Sequence, residues 1–272
     1  MKKKKNLLVL ALLLWTISGY AAKVDTLLVK SPAMNKNVEV VVVVPDAGLG
    51  KKATACPVIY LLHGYGGNAK TWIQLKRNLP QIADEKGIIF VCPDGKNSWY
   101  WDSPKDPAYR YETFISSELV NYIDGHYKTV ADRKGRAITG LSMGGHGAMW
   151  NALRHKDTFG GAGSTSGGVD IRPFPLNWEM AKQLGEFASN KKQWDEYTVI
   201  NQLDKIENGD LAIIVDCGES DFFLNVNKDL HNSLLARKIG HDFITRPGGH
   251  TGDYWNNSID YQILFFDKFF RK

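Results

Sequence analysis

Gly140-Leu141-Ser142-Met143-Gly144 has the form G-x-S-x-G, and its surroundings give that form chemical meaning. The stretch Arg136 to Thr139 before it predicts a strand, and Met143 to Arg154 after it predicts a helix. Ser142 would then sit on a sharp strand-to-helix turn with its hydroxyl presented at a sheet edge. Side chains at the two flanking glycines would collide with the neighbouring strand and helix. Gly145, Gly147 and Ala148 extend the small-residue path and let the helix pack closely.

A serine hydroxyl attacks a carbonyl only when a base takes its proton and a carboxylate orients that base. For this kind of turn the chain order is serine, acid, histidine, each on a loop after a strand. His250 fits, because Pro247-Gly248-Gly249 leads out of the last predicted strand and would swing an imidazole over the sheet edge. His231 falls within a predicted helix and His241 at the start of a strand, the wrong end of the sheet. His126, His146 and His155 precede or crowd the serine and read as helix-surface residues. For the acid, the run Leu211 to Val215 leads into Asp216-Cys217-Gly218-Glu219-Ser220-Asp221. Asp221 is preferred because it lies past the Gly218 turn, where a side chain can leave the strand axis. Glu219 and Asp216 stay open as alternatives.

The negative oxygen formed on attack needs backbone donors. One is the amide after the nucleophile, at Met143. The other is expected from His63-Gly64-Tyr65-Gly66-Gly67, directly after Tyr60-Leu61-Leu62, with Tyr65 as the donor.

Positioning these groups requires strands alternating with helices. Strands are predicted at Val24 to Val29, Val38 to Val44, Val58 to Leu62, Ile88 to Cys92, Arg136 to Thr139, Leu211 to Val215 and Phe243 to Arg246. Helices are predicted around Trp72 to Glu85, Ile115 to Tyr127, Met143 to Arg154 and Val226 to Lys238. A closing helix carries Ile259, Ile263, Phe266 and Phe270 on one stripe. The alternation predicts an α/β fold, a mostly parallel central sheet with helices on both faces. Residues 160–209, rich in glycine and proline and then helical around Trp178 to Phe187, break the rhythm. They are expected to form an insertion over the carboxyl edge of one catalytic domain, residues 22–272.

Leu61-Leu62-His63-Gly64-Tyr65-Gly66-Gly67, Gly140-Leu141-Ser142-Met143-Gly144-Gly145-His146-Gly147, Cys217-Gly218-Glu219-Ser220-Asp221 and Gly249-His250 together resemble the esterase D-like branch of α/β-hydrolases. That branch includes feruloyl and acetylxylan esterases of carbohydrate esterase family 1, tributyrin esterases, S-formylglutathione hydrolases and mycolyltransferases. The resemblance implies an α/β-hydrolase fold and a serine triad in which Asp221 matches the family acid. It does not fix the acyl group or the alcohol.

Aromatic residues cluster after strand ends: Trp99, Tyr100 and Trp101, then Phe222 and Phe223 beside the acid, then Tyr254 and Trp255 beside the base. Trp99, Trp101, Trp178, Tyr254 and Trp255 are expected to touch substrate, since aromatic faces suit sugar rings or a phenolic acyl group. Packing of the loops is the alternative, and for Phe222 and Phe223 it stands level with contact.

At the N-terminus, Lys2 to Lys5, the apolar run Leu7 to Ile17 and Gly19-Tyr20-Ala21 read as a signal peptide cut after Ala21, with an uncleaved anchor as the alternative. A periplasmic or secreted protein, free of the membrane once mature, is therefore expected. The leader argues against the cytosolic S-formylglutathione hydrolase role, and no groove for a mycolyl chain is assignable. The formal charge of +5 includes the four leader lysines, so the remainder is near +1 and has no basic run suited to nucleic acid. Cys56, Cys92 and Cys217 are expected to be buried free thiols. Their wide separation disfavours a zinc site, and no metal or cofactor is expected. The expected partner is a small-molecule or oligosaccharide ester. A general short-chain carboxylesterase and an acyltransferase are the rival functions; a non-catalytic binding homologue would have no need of serine, acid and histidine in order.

Overall fold

A computed structural model describes residues 22–272, so the predicted leader lies outside the described residues. Eight strands form one sheet: β1 Lys23–Ser31, β2 Lys36–Val44, β3 Val58–Leu62, β4 Ile89–Pro93, β5 Arg136–Gly140, β6 Gly161–Thr165, β7 Ala212–Gly218 and β8 Asp242–Arg246. Their spatial order is β1-β2-β4-β3-β5-β6-β7-β8. The β1–β2 and β2–β4 pairs are antiparallel, and the remaining pairs are parallel.

The valine run of β2 shows why the sheet is buried on both faces. Val40, Val42 and Val44 join one apolar layer with Tyr60, Leu62 and Ile138, while Val41 and Val43 join the opposite layer with Ile59, Leu61 and Ala137. Successive side chains of a strand point to opposite faces, so a continuous apolar run requires helices on both sides. Helix Met143–Arg154 packs into the first layer, and helix Gly252–Phe270 covers the second through Ile259, Ile263 and Phe266. Full burial contributes about 1.5–3 kcal/mol for each such large side chain.

Three expectations are corrected. The single helix predicted around Trp72 to Glu85 is two, Thr71–Leu75 and Leu79–Lys86, with Pro80 in the first turn of the second. Proline lacks an amide proton and its ring would strike the carbonyl four residues back, so one continuous helix cannot pass through it. Residues 161–165, assigned to the insertion, are instead strand β6, interior to the sheet between β5 and β7. Its glycines hide it from a hydrophobic reading, yet close packing demands them: a Cβ on Gly163 would lie 2.4 Å from Gln262 Oε1 and 2.6 Å from Thr139 Oγ1. The irregular segment therefore begins after Thr165. Within it the helical stretch reduces to Met180–Leu184 and a 3₁₀ turn at Phe187–Ser189, preceded by Trp178 and Glu179 at φ of 49° and 54°.

Candidate active site

Ser142 is held at φ 55° and ψ −119°, a conformation costly for a residue with a side chain. The surroundings impose it. The Ser142 amide donates to Thr165 O at 2.9 Å on β6, and its carbonyl accepts from His146 N at 3.1 Å. A Cβ on Gly144 would fall 2.2 Å from Leu62 O, so the helix can start this close to β3 only with glycine there.

His250, on the loop after β8, places Nε2 2.9 Å from Ser142 Oγ and Nδ1 2.9 Å from Asp221 Oδ2. The Asp221 carboxyl side chain is fully buried, and its other oxygen accepts from Phe223 N at 2.8 Å. A carboxylate facing Nδ1 keeps the proton on that nitrogen and leaves Nε2 to accept from the serine hydroxyl. The structure thus brings together Ser142, His250 and Asp221. Glu219 points outward, exposed, and both oxygens of Asp216 are engaged elsewhere.

Among the described residues, the amides of Tyr65 and Met143 donate to no acceptor in the chain, while several amides nearby do. Gly66 N donates to Asn97 Oδ1 at 2.8 Å, Gly67 N to Gly64 O at 3.0 Å and Gly144 N to Leu141 O at 2.7 Å. The glycine loop lies against the turn, since a Cβ on Gly64 would come within 3.3 Å of Ser142 Cβ. Met143 also opens a twelve-residue helix, whose N-terminal dipole favours negative charge. Buried His63 fixes the loop: its Nε2 accepts from Gly95 N at 2.9 Å, so its Nδ1 carries the proton and donates to Gly64 O at 2.7 Å.

Ser142 and His250 open into a cavity of about 530 Å³ walled by Tyr65, Leu141, Trp178, Phe222 and Trp255. Trp178 stacks on Phe222 with centroids 5.8 Å apart and 22° between planes, and Trp255 meets His250 edge-on. Of the aromatics expected at the substrate, Trp178 and Trp255 line this space. Phe222, for which packing and contact stood level, lines it too, whereas Phe223 is buried.

Trp99, Trp101 and Tyr254 do not, and their expected substrate contact is corrected. Trp99 and Trp101 are 1% and 0% exposed and stack on each other with centroids 5.7 Å apart, both set edge-on against His146. Left-handed backbone at Trp99 and Tyr100 turns this segment inward over the helix that follows Ser142. Tyr254 is also buried; its hydroxyl donates to Asp216 Oδ1 at 2.6 Å, while Arg246 donates to Asp216 Oδ2 at 2.6 Å. Burial raises the Asp216 carboxyl above the ordinary aspartate range, against the opposing pull of Tyr254 and Arg246. This cluster ties together the ends of β7 and β8, the strands that carry Asp221 and His250.

His146, expected on a helix surface, is wholly buried, donating from Nδ1 to Gly168 O at 2.9 Å. Burial pulls its imidazole down to about 4, so it is neutral at pH 7. Its position next to the glycine-rich turn was the available signal, because a helix packed that closely on a sheet turns most of its positions inward. The three cysteines are buried and free.

The sheet order, the strained turn and the convergence of three polar side chains at the carboxyl edge place this protein among the α/β-hydrolases. Residues 31–266 match the Esterase family model, described as "Putative esterase", and the chain belongs to that family. It is 27% identical over 247 residues to an acetyl esterase of Caldicellulosiruptor saccharolyticus, a match covering 84% of this chain and 92% of the relative. It is 25% identical to the S-formylglutathione hydrolase of Bos taurus, covering 71% and 72% of the two chains. A solved ferulic acid esterase superposes with a TM-score of 0.79 at 27% identity, over 92% of this chain and 98% of that one. Two of these three relatives are named as esterases and the third as a hydrolase.

Proposed function

We propose that this protein is an exported serine esterase acting on feruloyl or acetyl esters carried by plant polysaccharide fragments. Ser142 attacks the ester carbonyl as His250 takes its proton; the Tyr65 and Met143 amides hold the resulting oxyanion. Collapse passes the proton from His250 to the departing alcohol and leaves an acyl group on Ser142. Water, deprotonated by His250, then releases the acid and restores the serine. Asp221 holds the imidazole in the productive tautomer and stabilises its charged form.

The observation that carries this reading is the continuous Ser142–His250–Asp221 hydrogen-bond chain facing an aromatic-walled cavity. The acetyl esterase and ferulic acid esterase relatives support the choice of acyl groups. A panel of acetyl, butyryl and feruloyl esters, with Ser142→Ala as control, tests it. Rapid turnover of butyrate esters with methyl ferulate and acetylated xylo-oligosaccharides inert would replace it with a general short-chain carboxylesterase. The mutual stacking of Trp178 and Phe222, which occupies part of each ring's face, favours that second reading.

Export is supported by the leader, Lys2 to Lys5 followed by the apolar run Leu7 to Ile17. N-terminal sequencing of the extracytoplasmic protein should begin at Ala22; a retained Met1 would contradict this.

A further inference from the structure

Strands β5, β7 and β8 lead into the turns that carry Ser142, Asp221 and His250, and one chain of buried hydrogen bonds crosses the sheet behind all three. It begins at Thr139 on β5, whose hydroxyl donates to Gln262 Oε1. Gln262 Nε2 donates to Thr165 Oγ1 at 2.7 Å on β6, and Thr165 Oγ1 lies 3.0 Å from Ser258 Oγ. Ser258 is among the donors that pull the Asp216 carboxyl on β7 downward, and the same carboxyl accepts from Arg246 on β8 at 2.6 Å.

The direction of the chain is set from its acidic end. A carboxylate only accepts, so Ser258 donates to Asp216 and takes the proton of Thr165. Thr165 in turn accepts from the Gln262 amide, whose carbonyl is left for Thr139. Thr139, Thr165, Asp216, Ser258 and Gln262 are each no more than 1% exposed, so water does not compete for these bonds. Tyr254, Ser258 and Gln262 stand at four-residue spacing on helix Gly252–Phe270 and therefore share one face of it. Gly163 leaves the space that the Gln262 carboxamide fills.

Burying this many polar groups gains little stability, because each hydrogen bond mostly replaces one made to water in the unfolded chain. A fully paired buried network instead fixes one relative placement of the elements it joins. Thr165 is where that placement reaches the nucleophile: its carbonyl accepts from the Ser142 amide at 2.9 Å and helps hold the serine at φ 55°. Its hydroxyl is held from the other side by Gln262 and Ser258.

We propose that Gln262 is a positioning residue for Ser142: acting through Thr165, it sets the strained serine against His250, while the same chain holds the ends of β7 and β8 through Asp216. Gln262 is wholly buried and does not line the Ser142 cavity, so it touches neither substrate nor the reacting atoms. Its effect on turnover rests on the esterase reading of Ser142; the placement of Ser142 against His250 does not.

Two measurements test it. The first follows 4-nitrophenyl acetate hydrolysis and the rate of fluorophosphonate labelling in wild type, Gln262→Met, Thr165→Val and the double variant, at a temperature where each is folded by circular dichroism. Thr165→Val removes the hydroxyl and keeps the carbonyl that holds Ser142, so it serves where Gln262→Met fails to fold. Each single variant should lower kcat, kcat/KM and the labelling rate together by about tenfold to a hundredfold, the cost of a small misplacement. The double variant should fall little further than either single one, since both break the same chain. Ile263→Val, which trims the apolar stripe of the same helix, should lower melting temperature and leave kcat within about twofold. Folded Gln262→Met or Thr165→Val with kcat within about twofold of wild type overturns the proposal, as does an equal loss of kcat in Ile263→Val.

The second measurement needs no turnover. The ring-nitrogen NMR resonances of His250 report its hydrogen bonds to Ser142 and Asp221, and they should move in Gln262→Met and Thr165→Val but not in Ile263→Val. Resonances unmoved in both network variants overturn the proposal. Resonances that move in a protein inert toward every ester and toward the label would sustain the positioning role and remove the esterase reading.

Discussion

Trp99, buried beneath the irregular segment, holds its indole 5.9 Å from that of Trp178, which faces the Ser142 cavity. One ring is support and the other is wall, so truncating them should have different consequences. Trp178→Ala should raise KM for a feruloyl ester more than for an acetyl ester, by up to about tenfold if a stacked contact of 0.5–1.5 kcal/mol is lost. Trp99→Ala should lower stability by about 3–5 kcal/mol. Steady-state kinetics and denaturant melts separate the two. Equal KM effects of Trp178→Ala on both esters would make that ring a scaffold as well.

The acid assignment is tested by paired isosteric changes. Asp221→Asn would hold the wrong imidazole tautomer and should lower kcat by about 10⁴-fold. Glu219→Gln, on an exposed side chain, should leave kcat within about twofold. The reverse ordering would reassign the acid.

His146 gives the fold an acid sensitivity of defined sign. Burial lowers its folded-state value to about 4 from an ordinary 6.5, so the unfolded chain binds the proton more readily. The stability this contributes is present above 6.5 and is lost as pH falls from 6.5 towards 4. Melting temperature should therefore fall across that interval in the wild type, and His146→Gln should flatten the decline. Parallel curves for the two proteins would show that His146 does not set the effect.

Tyr254→Phe removes one donor from the buried Asp216 carboxyl and should cost about 1–3 kcal/mol. Because Asp216 and Arg246 link the strands that position Asp221 and His250, kcat should fall as well, with KM for feruloyl and acetyl esters shifting together. A selective KM change for the feruloyl ester would return Tyr254 to the substrate.

The candidate catalytic positions were legible because each lies where a strand ends. Ser142 follows β5, His250 follows β8, and the glycine motif at Tyr65 follows β3; local glycines announce every one of these turns. Strand β6 was not legible, since Gly161 and Gly163 are there to admit Gln262 and Phe266 and leave no apolar pattern. Burial of Trp99 and Trp101 depends on two consecutive left-handed residues, Trp99 and Tyr100, in a loop whose composition reads as surface. The structural role of Tyr254 is visible only once β7 and β8 are neighbours and Asp216 lies within reach of its hydroxyl.

If Ser142 is the nucleophile of an ester hydrolase, its hydroxyl must both take up an active-site label and be needed for turnover. The most direct measurement is fluorophosphonate labelling followed by peptide mapping, run beside hydrolysis of 4-nitrophenyl acetate, on wild type and Ser142→Ala of verified fold. A single adduct on Ser142 is expected in the wild type, with loss of both labelling and turnover in the variant. Labelling at another residue, or turnover retained without the Ser142 hydroxyl, would contradict it.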